Sequence, residues 1–427
     1  MEKDISRSVA LLNFHWENVN FGAVLTAYAL NRAVNDLGYS AQNVDYVPGF
    51  PWIEKEAPNP LFDDFRRRHL PMTERIRAGV DLSFLNDRFS IFVVGSDQVW
   101  RPEFIRGETE AYLLEFAGPD KIAASYAASF GTDSLALGDE EREEWRLRLG
   151  RFDRVTVRED SGVALCREMG VKASQVADPV FLLGREDWES LAGEFRDDGT
   201  AGADEVVCYT IDPSIKGDVD RFVLAHADEI GASRVRDITW NTGVPEWLWR
   251  MSRARLVLTD SYHASCFALI FGRPFACVNG NAKTQTRMKS LFSAAGVEGR
   301  LYSEFSEVPA SDVSREQSPK EAAALVDALG RMRADSLSAL RDILSGPGMT
   351  ADVKLAAWRA VQSHRRAALE GFLRRTRARA LRYRLLSLLA PGGKYGEKNH
   401  ALGERRRSAL EHLTRLREAM ARREEPK

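Results

Sequence analysis

Apolar positions open the chain with a short run, Val9 to Leu12, which a polar loop separates from Gly22 and a longer apolar stretch, Ala23 to Leu30. The first has the length of a buried strand and the second the spacing of a helix, so the chain begins as a doubly wound unit does. Gly38 stops the helix, and Asn43 to Val47 reads as the next strand. The Pro-rich, charged connection from Pro48 to Pro71 is expected to run over the surface. Strands follow at Ser90–Val94, Ile122–Tyr126 and Arg154–Val157, with helices at Asp139–Gly150 and Ser161–Met169. Asp178–Pro179 closes this first lobe, and the polar, Gly-rich stretch Gly193–Asp204 reads as a linker or surface loop. A second alternation then begins: strand Glu205–Ile211, helix Asp218–Ile230, strand Arg255–Thr259, helix His263–Phe271, strand Phe275–Val278. Alternating strands and helices predict an α/β fold with mostly parallel sheets. Gly346–Pro347–Gly348 breaks the chain, and Arg-rich helix formers follow, interrupted at Pro391–Gly392–Gly393. The expected organisation is a Rossmann-like lobe at 1–183, a second at 184–345, and a helical basic extension at 346–427.

Composition adds little to this picture, but charge changes it. The 427 residues carry a net charge of −2, yet Arg365 to Lys427 holds 18 basic against 7 acidic residues, leaving the body at −13 and the tail at +11. A tail of this kind calls for an anionic partner. Its leucines at 381, 385 and 388 share one helical face while most of its arginines lie off it. The expectations are an anionic membrane surface or a second copy of the chain, with nucleic acid set aside. Cys166, Cys208, Cys266 and Cys277 form no CxxC pair, sit in apolar runs and read as reduced, buried and structural. The apolar stretch near Met1 is too short for a signal peptide, and no run approaches the length of a membrane span. The expected location is cytoplasmic, with association at the inner face of the membrane through the tail.

In open α/β sheets ligands sit beyond the carboxyl ends of strands. The polar residues at those ends are Asn20 to Gly22, Gly95–Ser96–Asp97–Gln98, Ser129–Phe130–Gly131, Arg158–Glu159–Asp160 and Asp260–Ser261–Tyr262–His263. Each has an ordinary alternative. Gly22 could simply begin a helix, Ser96–Asp97 could cap a turn, and Arg158–Glu159 could be a local ion pair. His263 stands apart, because it begins a helix whose N–H groups favour an anion, with Ser261 or Asp260 as the cap. No GxGxxG follows the first strand, no GxxxxGK[ST] or GxSxG occurs, and no Cys/His cluster suggests a metal.

Taken in order, these strings resemble the polysaccharide pyruvyl transferase family. Asn20 to Leu30 looks like its opening motif, and Gly95–Ser96–Asp97–Gln98–Val99–Trp100 like the most specific internal string of one branch. Ser125 to Gly131, Val157–Arg158–Glu159, Asp178–Pro179, Thr259 to His263 and Lys283 to Arg287 follow in the family's order, so the resemblance spans roughly Val9 to Leu301. The chain departs from it at Ser261, where some members have Arg, at Ala264, where Gly is common, and at Thr26, where Gln is common.

The resemblance implies two Rossmann-like lobes of the glycosyltransferase-B (GT-B-like) kind with the site in the cleft between them. It implies transfer of pyruvate from phosphoenolpyruvate to a sugar, free or lipid-linked, with phosphoenolpyruvate as co-substrate and no resident cofactor. On that reading His263 and Asp97 are catalytic. Arg158, Ser261, Arg287, Lys283, Asn20, Gly22, Ser96, Gln98 and Ser129 bind substrate. The rival readings are a nucleotide-sugar glycosyltransferase on the same fold and a non-catalytic sugar-binding member.

Overall fold

The structure, a computed structural model, describes residues 6–16, 20–49, 58–105, 107–196, 205–231, 234–281, 285–315, 317–389 and 394–422. The chain divides into two compact units, Met1–Ala136 with Phe152–Gly348, and Leu137–Arg151 with Met349–Lys427.

The first unit holds two larger parallel sheets and two two-stranded ones. One contains β1 (Ser8–Leu12), β2 (Ser40–Asn43), β3 (Ile91–Val94) and β4 (Ile122–Ser125) in the order β2-β1-β3-β4. The other contains β5 (Glu205–Tyr209), β6 (Arg234–Asp237), β7 (Leu256–Thr259), β8 (Phe275–Val278) and β9 (Leu301–Tyr302) in the order β6-β5-β7-β8-β9. Val9 pairs with both Ala41 and Ile91, and Val257 with both Val207 and Phe275, which fixes the register of the central strands. Strands β3, β7 and β8 are buried along their whole length, as the central strands of a sheet covered on both faces must be. In each sheet the order reverses between the first strand and the third. That reversal opens a crevice at the carboxyl edge of both lobes.

The lobes share a core. Phe21, on helix α1 (Phe21–Asp36), stacks on Trp247 at 5.1 Å and 11°. Trp247 belongs to a helix of the second lobe, Val244–Arg253, and meets Phe267 edge-on at 5.1 Å. Phe62 and Phe65 join the same cluster from helix α2 (Pro60–His69). The Pro48–Pro71 connection is therefore not wholly on the surface. Pro60 at the helix start and Asn59 as its cap set up a turn that places Phe62 and Phe65 on one buried face. The second predicted strand is also displaced, to Ser40–Asn43, while Tyr46–Val47 pairs instead with Ile76–Arg77.

Arg234–Asp237 has a largely exposed pattern with no apolar alternation, so nothing in its sequence announces the edge strand it forms. The region read as one helix over Asp218–Ile230 is two, Lys216–Ala225 and Ala227–Ile230. Helix Pro319–Leu344 carries Leu340, Ile343 and Leu344 into the core around Val9, Leu11 and Val34 of the first sheet, and the Tyr39 hydroxyl donates to the Leu344 carbonyl. All four cysteines are unbridged and buried, and burial pushes the thiols of Cys166, Cys208 and Cys277 up to about 12.

The second unit is helical. Its long helices, Ala351–Leu389 and Lys394–Arg422, pack on each other, and the charged helix Asp139–Leu149 packs on the first of them. Arg417 donates to Glu370 and Arg406 donates to the Leu373 carbonyl, tying the two long helices together. Among the described residues no helix is long and apolar enough to cross a membrane. Residues 197–204 of the Gly193–Asp204 segment and the interruption at Pro391–Gly393 lie outside the described residues.

If α2 is a core element, Phe62→Ala opens a cavity beside Phe21. It should cost about 3–5 kcal/mol and lower the apparent melting temperature clearly. An unchanged melting temperature would return the segment to the surface.

Candidate active site

One buried carboxylate draws together residues from five segments of the chain. Asp178 follows the short strand Ser174–Gln175 and its side chain is fully buried. Its Oδ2 accepts from Arg158 Nη1 at 2.8 Å and lies 3.4 Å from His263 Nε2. Its Oδ1 accepts from the Val180 backbone at 3.1 Å and from the Thr26 hydroxyl at 3.3 Å. Ser96 Oγ lies 2.8 Å from the Ala127 carbonyl and 3.3 Å from Asp178 Oδ2. Burial alone would raise this carboxyl, but His263 and Arg158 outweigh it and hold Asp178 far below the usual carboxylate range.

His263 sits in the first turn of helix α4 (Tyr262–Ile270), which Ser261 caps through the Ala264 N–H. Its Nε2 lies 3.1 Å from Thr26 Oγ1 as well as near Asp178. With the Thr26 proton directed to Asp178, both neighbours of Nε2 are acceptors, which assigns the ring proton to that nitrogen. Nδ1 makes no hydrogen bond with the described residues, so it is the nitrogen left for a substrate. The ring lies over Gly22, where a Cβ would come within 2.0 Å of Nδ1. Gly22 is thus needed for close approach, beyond any role in starting its helix.

Arg158 presents less of its fork to a substrate than its place in the sequence suggests. Its side chain is 1% exposed, with Nη2 3.5 Å from Asp97 and Nε 3.6 Å from Glu159 in addition to the Asp178 bond. The guanidinium also stacks on Tyr262 at 4.4 Å. Arg287 lies 5.8 Å from the same ring and makes no ion pair with the described residues, and its Nε has no hydrogen-bond partner. Burial and the neighbouring Arg158 push its guanidinium below the ordinary value, which marks a cation short of counter-charge.

The remaining expected residues fall into place around this core. Asp97 has φ 71° and lies beside Arg158. Ser129 donates to Glu159 and accepts from the Gly131 N–H. Gln98 accepts from Arg101 and packs on Gly131. Asn20 caps α1 through the Ala23 N–H, and Asp260 accepts from the Ile211 and Asp212 backbones rather than capping α4. Lys283 lies outside the described residues. A cavity of about 560 Å³ reaches Arg158, Asp178 and Tyr262 from the side of Gln175, Ser290 and Ser336. Among the described residues no cluster of His, Cys, Asp and Glu has the geometry to hold a metal ion.

A sequence model of polysaccharide pyruvyl transferases matches residues 20–281, which takes in Gly22, Asp97, Arg158, Asp178 and His263. The chain belongs to the polysaccharide pyruvyl transferase family. A transferase acting by pyruvyl transfer in polysaccharide biosynthesis follows from that membership. A search of curated proteins by sequence finds no match. Among solved structures the chain is similar to a UDP-GlcNAc 2-epimerase from Methanocaldococcus jannaschii, at 11% identity and TM-score 0.46, over 79% of this chain and 99% of that one. It is also similar to the wall teichoic acid polymerase TagF, at 11% identity and TM-score 0.42, over 84% and 88%. A third likeness is to an O-GlcNAc transferase of Thermobaculum terrenum, at 13% identity and TM-score 0.40, over 83% and 68%. These likenesses carry nothing about substrate.

Asp178, Thr26, Tyr262 and Glu159 carried no expected role of their own, although Glu159 and Tyr262 lie within two of the strand-end strings. Thr26 was detectable as a lone polar residue inside an apolar helical run, and Asp178 as a carboxylate at a strand end. Asp178→Asn should keep the shape of the side chain but remove the charge that balances Arg158. The expected loss is about 3–5 kcal/mol of stability at neutral pH. Because the folded carboxyl is depressed, its contribution is full above the unfolded value near 3.9 and fades as pH falls toward the folded one. The stability gap between wild type and variant should therefore narrow in acid below about pH 4. A gap that widens on acidification would contradict the ion-pair assignment.

Proposed function

We propose that this family member transfers the enolpyruvyl carbons of phosphoenolpyruvate to two hydroxyls of a sugar, closing a pyruvate ketal and releasing phosphate. The observation that carries the reading is the combination of His263, anchored at Nε2 with Nδ1 left over, and Arg287, a cation with no ion pair among the described residues. Phosphoenolpyruvate brings a carboxylate and a phosphate, so it suits a site with an uncommitted guanidinium and a helix N-terminus.

The steps follow from these parts. In its doubly protonated form His263 keeps the Nε2 proton toward Asp178 and gives the Nδ1 proton to the methylene carbon, and the electron deficit moves to the central carbon. A sugar hydroxyl adds there and gives up its proton, with Asp97 orienting it. The bond to the phosphate oxygen then breaks, and the leaving phosphate takes the bonding pair. A second hydroxyl adds to the same carbon and loses its proton, which closes the ketal. One proton is gained by carbon, two are lost by the hydroxyls, and the phosphate leaves with one. Arg287 binds a donor anion on this reading. Arg158, held by Asp178, acts as a positioning residue and contributes field more than contact.

The acceptor is a carbohydrate, and the second lobe offers it a platform. Trp240 follows β6, is 43% exposed, and its carbonyl accepts from Asn59 Nδ2 of the first lobe at 3.0 Å. From β6 to β7, whose end carries Ser261 to His263, is two strand spacings, roughly 10 Å. That is about the reach of one or two sugar rings. A partly exposed indole just beyond the strand ends suits stacking by a sugar.

Phosphate release from phosphoenolpyruvate in the presence of a sugar acceptor is the direct test, and release of UDP or GDP from a nucleotide sugar would select the glycosyltransferase reading instead. His263→Ala should lower kcat by about 100- to 10,000-fold with the fold retained. Arg287→Ala should raise the KM for phosphoenolpyruvate by about 10- to 100-fold. Normal phosphate release by the His263 variant would remove it from the chemistry.

Trp240→Ala separates donor from acceptor. The expected result is a higher KM for the sugar with the KM for phosphoenolpyruvate unchanged, and equal effects on both would deny Trp240 a stacking role.

A further inference from the structure

We infer that the far end of the long helix Ala351–Leu389 is a docking surface for an anionic lipid bilayer. Six arginines lie between Arg374 and Arg384, and all six are exposed. From Gly371 to Gly396 the chain contains no acidic residue at all. Leu381 and Leu385, one turn apart, are 60% and 54% exposed. At helical spacing Arg377 and Arg384 flank that pair of leucines. The result is a short apolar ridge bordered by cations whose stems can lie along it while their charged heads stay in water.

This combination distinguishes a bilayer from the other occupants. A second copy of the same surface would bring six arginines against six, with no acidic residue on either side to balance them. A duplex nucleic acid would pair with the arginines but would leave the leucines facing water. An interfacial site on anionic lipid satisfies both at once, since headgroup phosphates pair with the guanidinium groups and the leucines enter the acyl boundary. The helix binds on the surface and does not span, because no helix among the described residues is apolar enough to cross.

The test uses the full chain and vesicles of phosphatidylcholine, with or without phosphatidylglycerol. The full chain should sediment with the anionic vesicles, release as salt rises, and stay in solution with the neutral ones. A triple variant, Arg377→Ser with Arg382→Ser and Arg384→Ser, should weaken partitioning by about 100-fold, on the basis of roughly fivefold per basic residue. Leu381→Ser with Leu385→Ser, which leaves the charge unchanged, should weaken it as well, and a purely electrostatic contact would not show that. Helix content by circular dichroism and phosphate release with a soluble acceptor should be unchanged in both variants, so loss of binding is separable from loss of fold or of the proposed activity. Three results would overturn the inference: equal sedimentation with neutral vesicles, variants that bind like wild type, or a dimer in light scattering that the leucine variant disperses without any dependence on lipid. Preference for duplex DNA over anionic vesicles in direct competition would do the same.

Discussion

A fully buried carboxylate has to be matched by positive charge, and Asp178 meets that requirement with groups from both lobes. Arg158 reaches it from the first lobe and His263 from the second, while Thr26 joins it to α1. An unmatched charge at this depth would cost several kcal/mol, so the lobes are held to the arrangement that brings both partners in. Placing the histidine and closing the lobes are thus one event. This also explains why Arg158 and Arg287, which share Tyr262, have different roles. Arg158 is neutralised by the carboxylates around it, whereas Arg287 makes no ion pair with the described residues.

The strand ends were legible in the sequence because burial on both faces leaves a continuous apolar run with a polar stop. Ser96, Asp97, Arg158 and His263 were found that way. The cap at Ser261 was legible from its position alone. Gly22 could be read either as a helix start or as a point of close approach, and the His263 ring over its Cα decides for the second. Asp178 and Thr26 were not legible as site residues because the contact between them spans 152 positions, and that between Thr26 and His263 spans 237. No local spacing encodes contacts of that range.

Other gaps have local causes. Phe62 and Phe65 sit among arginines and aspartates, so charge masked a narrow apolar face. Arg234–Asp237 is an edge strand with little buried surface, and therefore little pattern. Helix Pro319–Leu344 is amphipathic and capped at Ser318, but its return to the first sheet is a fact of topology that periodicity does not reveal. The charge asymmetry of the tail, in contrast, needed only counting.

The stacked pair of Phe21 and Trp247, with Phe267 against it, has a mechanical consequence. Two-lobed enzymes commonly open and close about a hinge, and relative motion is the default when the contact between domains is small and polar. Here the contact is a shared aromatic core, and swinging the lobes apart would strip it into water. Opening by rotation would also pull His263 off Gly22 and Thr26. The shared aromatic core thus acts as a brake on any change of angle between the lobes.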